Sequence, residues 1–140
     1  MGQDGFSWFI GVVEDRQDPK KAGRVRVRCV GYHSASKDDI PMEDLPWASI
    51  MMPVTAGGNS GIGVSSHFLI EGTWVVGFFR DGPSAQDPII MGVINGSDKP
   101  DRASPTIKRQ IFPSGAQITV NNNTGVIELS GSNAGKVRIL

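Results

Sequence analysis

Apolar and polar positions alternate most clearly at Arg24 to Val30 (RVRVRCV). Val25, Val27 and Cys29 fall on one side and Arg24, Arg26 and Arg28 on the other. That alternation predicts a strand with one buried face and one cationic face. Four further runs rich in aromatic and β-branched residues also predict strands: Phe6 to Glu14, Trp47 to Met52, Thr73 to Arg80 and Pro88 to Ile94. Between the first two, Asp18-Pro19 and Gly23 mark a turn. Gly77 and Gly92 interrupt strand patterns, which predicts bulges or sharp bends. The connection Pro53 to Gly72 holds AGGNSGIGVSS, too glycine-rich for a helix. No segment has a helical apolar stripe. Five short strands with bending glycines predict a small closed barrel over residues 6–97, after a flexible arm at residues 1–5.

The rhythm changes beyond residues 98–106, a linker of charged and small residues. In residues 107–140 alternating pairs recur: Ile118 and Val120, Ile127 and Leu129, Val137 and Ile139. Equivalent positions are nine and then ten residues apart, separated by the turn-rich NNNTG and SGSNAG. A segment this short rarely folds without disulfides, metal or oligomerisation. It contains no Cys and no His. Packing the stripe of several identical chains around an axis would bury it. A disordered tail, or one paired with the barrel, is the alternative, although the β-branched alternation weighs against disorder.

Composition narrows the function. Fourteen Lys plus Arg balance fourteen Asp plus Glu over 140 residues, whereas general nucleic-acid binders carry a basic excess. Eighteen Gly and nine Pro without a collagen period suit a β protein with many turns. Cys29 is the one cysteine, so no intrachain disulfide forms; it reads as a small core hydrophobe. There is no basic-then-apolar leader at the N-terminus and no apolar run of roughly 18 residues. The expectation is a chain made and kept in the cytoplasm unless something exports it.

Candidate chemistry is thin. Glu14, Asp15 and Asp18 surround a polar turn where carboxylates are ordinarily solvated, not the paired environment of a glycosidase. Asp38, Asp39, Glu43 and Asp44 lack calcium-loop spacing. His33 and His67 suggest no third metal ligand. SGIGVSS lacks the Lys of a phosphate loop, and Ser60, Gly61, Ile62 and Gly63 read as a loop packed close to a neighbouring backbone, another subunit being one source. No catalytic, metal or cofactor-binding residue is expected. The Arg24, Arg26, Arg28 stripe has two readings. It would meet acidic groups of a partner protein, or, with Trp8, Trp47 and Trp74, form a single-strand nucleic-acid groove. Trp74, Phe78 and Phe79 lie in apolar strands and are expected mostly in the core.

The run GVVEDRQDPKKAGRVRVRCVGYH (Gly11 to His33) resembles the N-terminal barrel of phage baseplate central-spike proteins of the tail-lysozyme type. LPWASIMMPVT, SGIGVSS, EGTWVVGFFRDG and PIIMGVINGS follow in the family's order and cover most of residues 6 to 97. VgrG spikes share the architecture more distantly. The resemblance implies an all-β protein: a five-stranded OB-fold barrel, then a short C-terminal β-prism or β-helix shaft formed by a homotrimer. It makes Asp15, Arg16, Asp18, Pro19, Gly23, Arg24, Arg26 and Arg28 a family-signature turn and strand, with Asp15 and Arg16 able to pair. It implies a non-enzymatic spike in the virion tail baseplate, assembled in the host cytoplasm, attached to a hub protein and pushed against the target cell envelope on contraction. A separate PAAR-type tip protein would cover its end. The shaft contacts would be Ile118, Val120, Ile127, Leu129, Val137 and Ile139. About ten residues occupy the place of the family's muramidase domain, so that activity does not carry over. The alternative is a monomeric OB module binding single-stranded nucleic acid; a glycan hydrolase is a weaker third.

Overall fold

The computed structural model describes residues 6–65, 67, 69–95, 104–133 and 135–140. The expected arm at residues 1–5 and residues 98–103 of the expected linker lie outside them. The chain divides into two compact units, Met1–Gly96 and Ser97–Leu140.

In the first unit, β1 (Ser7–Asp15), β2 (Val25–Cys29), β3 (Trp47–Ile50), β6 (Trp74–Phe79) and β7 (Pro88–Ile94) close into a barrel in the order β1-β2-β3-β7-β6. All neighbours are antiparallel except β3 and β7, which run parallel. Closure leaves no free sheet edge among these five strands. The alternation read from β2 holds: Val25, Val27 and Cys29 are fully buried, and they join Phe9, Val13, Val75, Phe79 and Ile90 in the core. Burial also pushes the Cys29 thiol up to about 12, so it stays protonated and inert.

Gly77 shows why a glycine interrupts β6. A Cβ there would lie 2.1 Å from the Ile89 carbonyl oxygen and 2.8 Å from Cζ of Phe9. The Phe9 ring fills the space a side chain would need. Beside it the β6–β7 register slips, with Val76 opposite Gly92 but Gly77 opposite Ile90, so Met91 is the extra residue of a bulge.

The connection from β3 to β6 is not structureless. It contains a short hairpin, β4 (Gly57–Asn59) and β5 (Ile62–Gly63). Ser60 and Gly61 both have positive φ, 56° and 75°, as a type I′ hairpin turn requires.

The second unit is an antiparallel meander in the order β11-β10-β9-β8: β8 (Ile107–Ile111), β9 (Gln117–Asn121), β10 (Ile127–Ser130) and β11 (Lys136–Ile139). None of its described residues is fully buried. A single sheet has no second layer to cover its apolar face.

Candidate functional site

The turn between β1 and β2 is organised by one carboxylate. Asp18 accepts backbone N–H bonds from Lys20, Ala22 and Arg24 at 2.9, 3.0 and 3.1 Å. It also takes a two-pronged bond from the Arg24 guanidinium, at 3.0 Å from Nε and 2.8 Å from Nη2. Those bonds, Arg24 first, hold its carboxyl far below the usual carboxylate range. Gly23, at φ 73°, lets the chain reverse into β2.

The next residues of the signature pair differently from a mutual Asp15–Arg16 bridge. Arg16 reaches Glu71, with its backbone N–H 3.3 Å from Oε1 and its Nε 3.6 Å away. Asp15 faces Arg26 across the strands at 4.0 Å. Consecutive residues at a strand end point to opposite sides, which separates the two neighbours.

The arginine stripe stands on the expected side of β2, but its charge is engaged within the chain. Arg24 is held by Asp18. Arg28 is gripped by Glu14 at 2.5 and 3.1 Å and donates to the carbonyls of Ser34 and Ile40 at 2.6 and 2.8 Å. Arg26 donates to the Met42 carbonyl at 3.0 Å, and its guanidinium lies 4.6 Å from the centre of the Trp47 ring. Arg24 lies 5.5 Å from the same ring. The stripe thus fixes the turn before β2 and the loop after it instead of presenting three free cations.

The glycines of the 60–63 loop allow a tight hairpin. A Cβ on Gly63 would sit 2.2 Å from the Ala56 carbonyl oxygen, so the backbone that Gly63 approaches is its own chain's. Ser60 and Gly61 form the tip, and Ile62 is exposed there.

The meander carries the most distinctive surface. Its registers align Ile118, Leu129 and Val137 in one row across β9, β10 and β11. Val120, Ile127 and Ile139 form the adjacent row. Six apolar side chains, one group from each of three strands, therefore share a face. It is open: Leu129 is 47% exposed, Val137 62% and Ile139 61%. On the opposite face Glu128 is clasped by Lys136 at 3.4 Å and Arg138 at 3.3 Å, and accepts from Ser130 at 3.1 Å. The Ser130 bond, with these cations, lowers its pKa. Glu128 is thus fully engaged on one side while apolar groups meet water on the other. The sequence reading missed β8, which borders the apolar face with Lys108 beside Val120 and Gln110 beside Ile118.

Both histidines serve the backbone. Nδ1 of His33 accepts from the Cys29 N–H at 2.8 Å and Nδ1 of His67 from the Leu69 N–H at 3.0 Å. Each is thereby held neutral, and burial lowers the pKa of both. Among the described residues no group of three or more His, Cys, Asp or Glu side chains converges to hold a metal ion.

A five-stranded barrel closed through one parallel β3–β7 pair, followed by a sheet with an uncovered apolar face, defines an OB-type barrel protein with a β appendage. The chain belongs to the Gp5 N-terminal OB domain family, whose match spans residues 31–126. It is similar to protein Gp5 of Vibrio phage KVP40, at 46% identity over 100 residues, covering 69% of this chain and 24% of that protein. It is also similar to the pre-baseplate central spike protein Gp5 of Enterobacteria phage T4, at 44% identity over 109 residues, covering 73% of this chain and 19% of that one. The chain therefore spans about a fifth to a quarter of the length of these curated relatives.

Proposed function

We propose that three copies of this chain close their apolar sheet faces around a common axis to form the shaft of a phage baseplate spike. The barrels attach that shaft to a hub protein, and tail contraction drives it against the target envelope. The observation that carries this reading is the double row of Ile118, Leu129 and Val137 beside Val120, Ile127 and Ile139 on an uncovered sheet. Such a face needs a partner, and identical chains supply one of matching length and pattern. The name of the T4 relative, a pre-baseplate central spike protein, supports the setting. The role is architectural: force comes from elsewhere, and the chain's contribution is stiffness and attachment, with no active site. The internal pairing of Arg24 and Arg28 removes the feature that recommended a nucleic-acid partner.

Co-expression with the hub protein of the same phage tests the setting. The reading predicts a stable complex containing equal numbers of hub and spike chains in multiples of three. Hub and spike chains that elute apart at micromolar concentration would contradict it.

A further inference from the structure

Between β1, the loop after β2 and the start of β6 the barrel carries a cavity of about 670 Å³. That volume falls within the range of ligand pockets, about 300–1,000 Å³. Its walls are mainly apolar. Val12, Val30, Met42 and Trp74 line it, and Val30 is 59% exposed and Trp74 40%. A tryptophan and open aliphatic side chains around a hollow suit an apolar side chain of a ligand. The polar wall has one cation to spare. Both carboxylate oxygens of Glu14 are taken by Arg28, and Glu71 is engaged by Arg16. Lys37 lines the same wall, and among the described residues no hydrogen bond or ion pair holds its ammonium group. Its charge reaches into the wall: Arg28 first, and Lys37 from further away, lower the Glu14 pKa against the effect of burial. His33 lines the wall as well. Its Nδ1 accepts from the Cys29 N–H, so the neutral ring carries its hydrogen on Nε2 and keeps that donor.

We propose that this cavity binds the C-terminal end of a partner polypeptide, its apolar last residue against Trp74 and Val30 and its terminal carboxylate on Lys37, with His33 as a second donor. Two observations select that ligand. First, an unmatched cation and a neutral donor beside an apolar wall call for an anion attached directly to an apolar body. A C-terminal Leu, Ile or Val offers both within one residue. An Asp or Glu side chain offers the charge without the apolar branch. Second, Gly31 and Gly72 both line the cavity, with φ of 84° and 92°, and nothing lies within 4 Å of where a Cβ would stand on either. The cavity is therefore bordered by bare main chain at two places, where an extended peptide backbone can approach closely. A fatty acid has the same charge and an apolar body but no peptide groups to use there. The inference goes beyond the spike reading and does not depend on the number of copies, because every lining residue belongs to one barrel.

The test is fluorescence anisotropy of the N-terminally labelled peptide GGSVL titrated with the full chain, once with a free C-terminal carboxylate and once as the amide. The free acid is expected to bind at least about tenfold more tightly, the usual effect of a hydrogen bond to a charged group. Lys37→Met, at an exposed loop position, should bring the acid down to the affinity of the amide and leave the amide unchanged. Added salt should weaken the acid more than the amide. In the proton–nitrogen NMR spectrum the Trp74 indole signal should move on adding peptide, while that of Trp47, which lies under Arg24 and Arg26, stays in place. Equal binding of acid and amide, a preference that survives Lys37→Met, or no binding of either at millimolar concentration would overturn the inference. Decanoate that displaces the peptide as well as unlabelled GGSVL does would also overturn it, because the cavity would then recognise acyl carboxylates. None of these outcomes bears on the shaft, so the spike reading stands or falls separately.

Discussion

Arg28 of β2 and Glu14 of β1 form a two-pronged ion pair whose side chains are only 9% and 12% exposed, and the same guanidinium also holds the carbonyls of Ser34 and Ile40. One cation thereby joins two strands to the loop that follows. Hydrogen bonding to Arg28 lowers the Glu14 pKa, against the opposing effect of burial.

Glu14→Gln removes the charge while keeping the shape. It leaves Arg28 without its counter-ion, and a lost hydrogen bond to a charged group costs about 1.5–3 kcal/mol. The urea midpoint is expected to fall accordingly. Hydrogen exchange should quicken in residues 34–40 before the rest of the barrel. An unchanged midpoint would show that the pair contributes nothing net.

Gly77→Ala has no room. The added carbon would meet the Ile89 carbonyl and the Phe9 ring. Overpacking of this kind costs about 1–3 kcal/mol. The same substitution at Gly115, where nothing lies within 4 Å but φ is 92°, acts through backbone strain alone. Chemical denaturation of both variants separates the two causes. Gly77→Ala should also disturb the near-ultraviolet signal of the Phe9–Phe79 contact, and Gly115→Ala should not.

Acid is expected to destabilise the barrel in two stages. His33 and His67 have folded pKa values below the ordinary value of 6.5. The unfolded chain therefore takes up protons first, and stability falls as the pH drops below about 6.5 toward the folded values. Glu14 also has a lowered folded pKa, but for an acid. Its contribution is intact above the unfolded carboxylate range of about 4.3 and is lost as the pH falls from there toward the folded value. A thermal midpoint that is flat between pH 7 and 5 would contradict the histidine assignment. His33→Asn with His67→Asn should abolish the first stage and keep the second.

The barrel was legible in the sequence because its strands announce themselves. In β2 each inward residue is apolar and each outward one is arginine, so one reading survives. β6 is different. Trp74, Val75, Val76, Phe78 and Phe79 are apolar on both sides, and alternation alone does not say which row is inside. Its register with β1 decides, putting Val75 and Phe79 in the core while Trp74 and Phe78 face outward. The expectation that all three aromatics of this strand are core residues holds only for Phe79.

Two elements escaped for opposite reasons. In β4 and β5 glycines conceal the strand pattern, and what makes the hairpin is φ at Ser60 and Gly61. In β8 the apolar ends Ile107 and Ile111 enclose Lys108, Arg109 and Gln110, which carry no stripe. The rows of the meander were half visible. The pairs Ile118 and Val120, Ile127 and Leu129, Val137 and Ile139 were evident from spacing. That Leu129 lies between Ile118 and Val137, and Ile127 between Val120 and Ile139, follows only from register.

In the proposed assembly, copies of the same chain cover the open face of the meander. The most direct test of that assembly is the absolute mass in solution of the intact chain beside a Leu129→Glu variant. The expected result is three times the 15.0 kDa chain mass for the first and a single chain for the second, with the barrel still folded. A monomer for the intact chain at every concentration measured would contradict it.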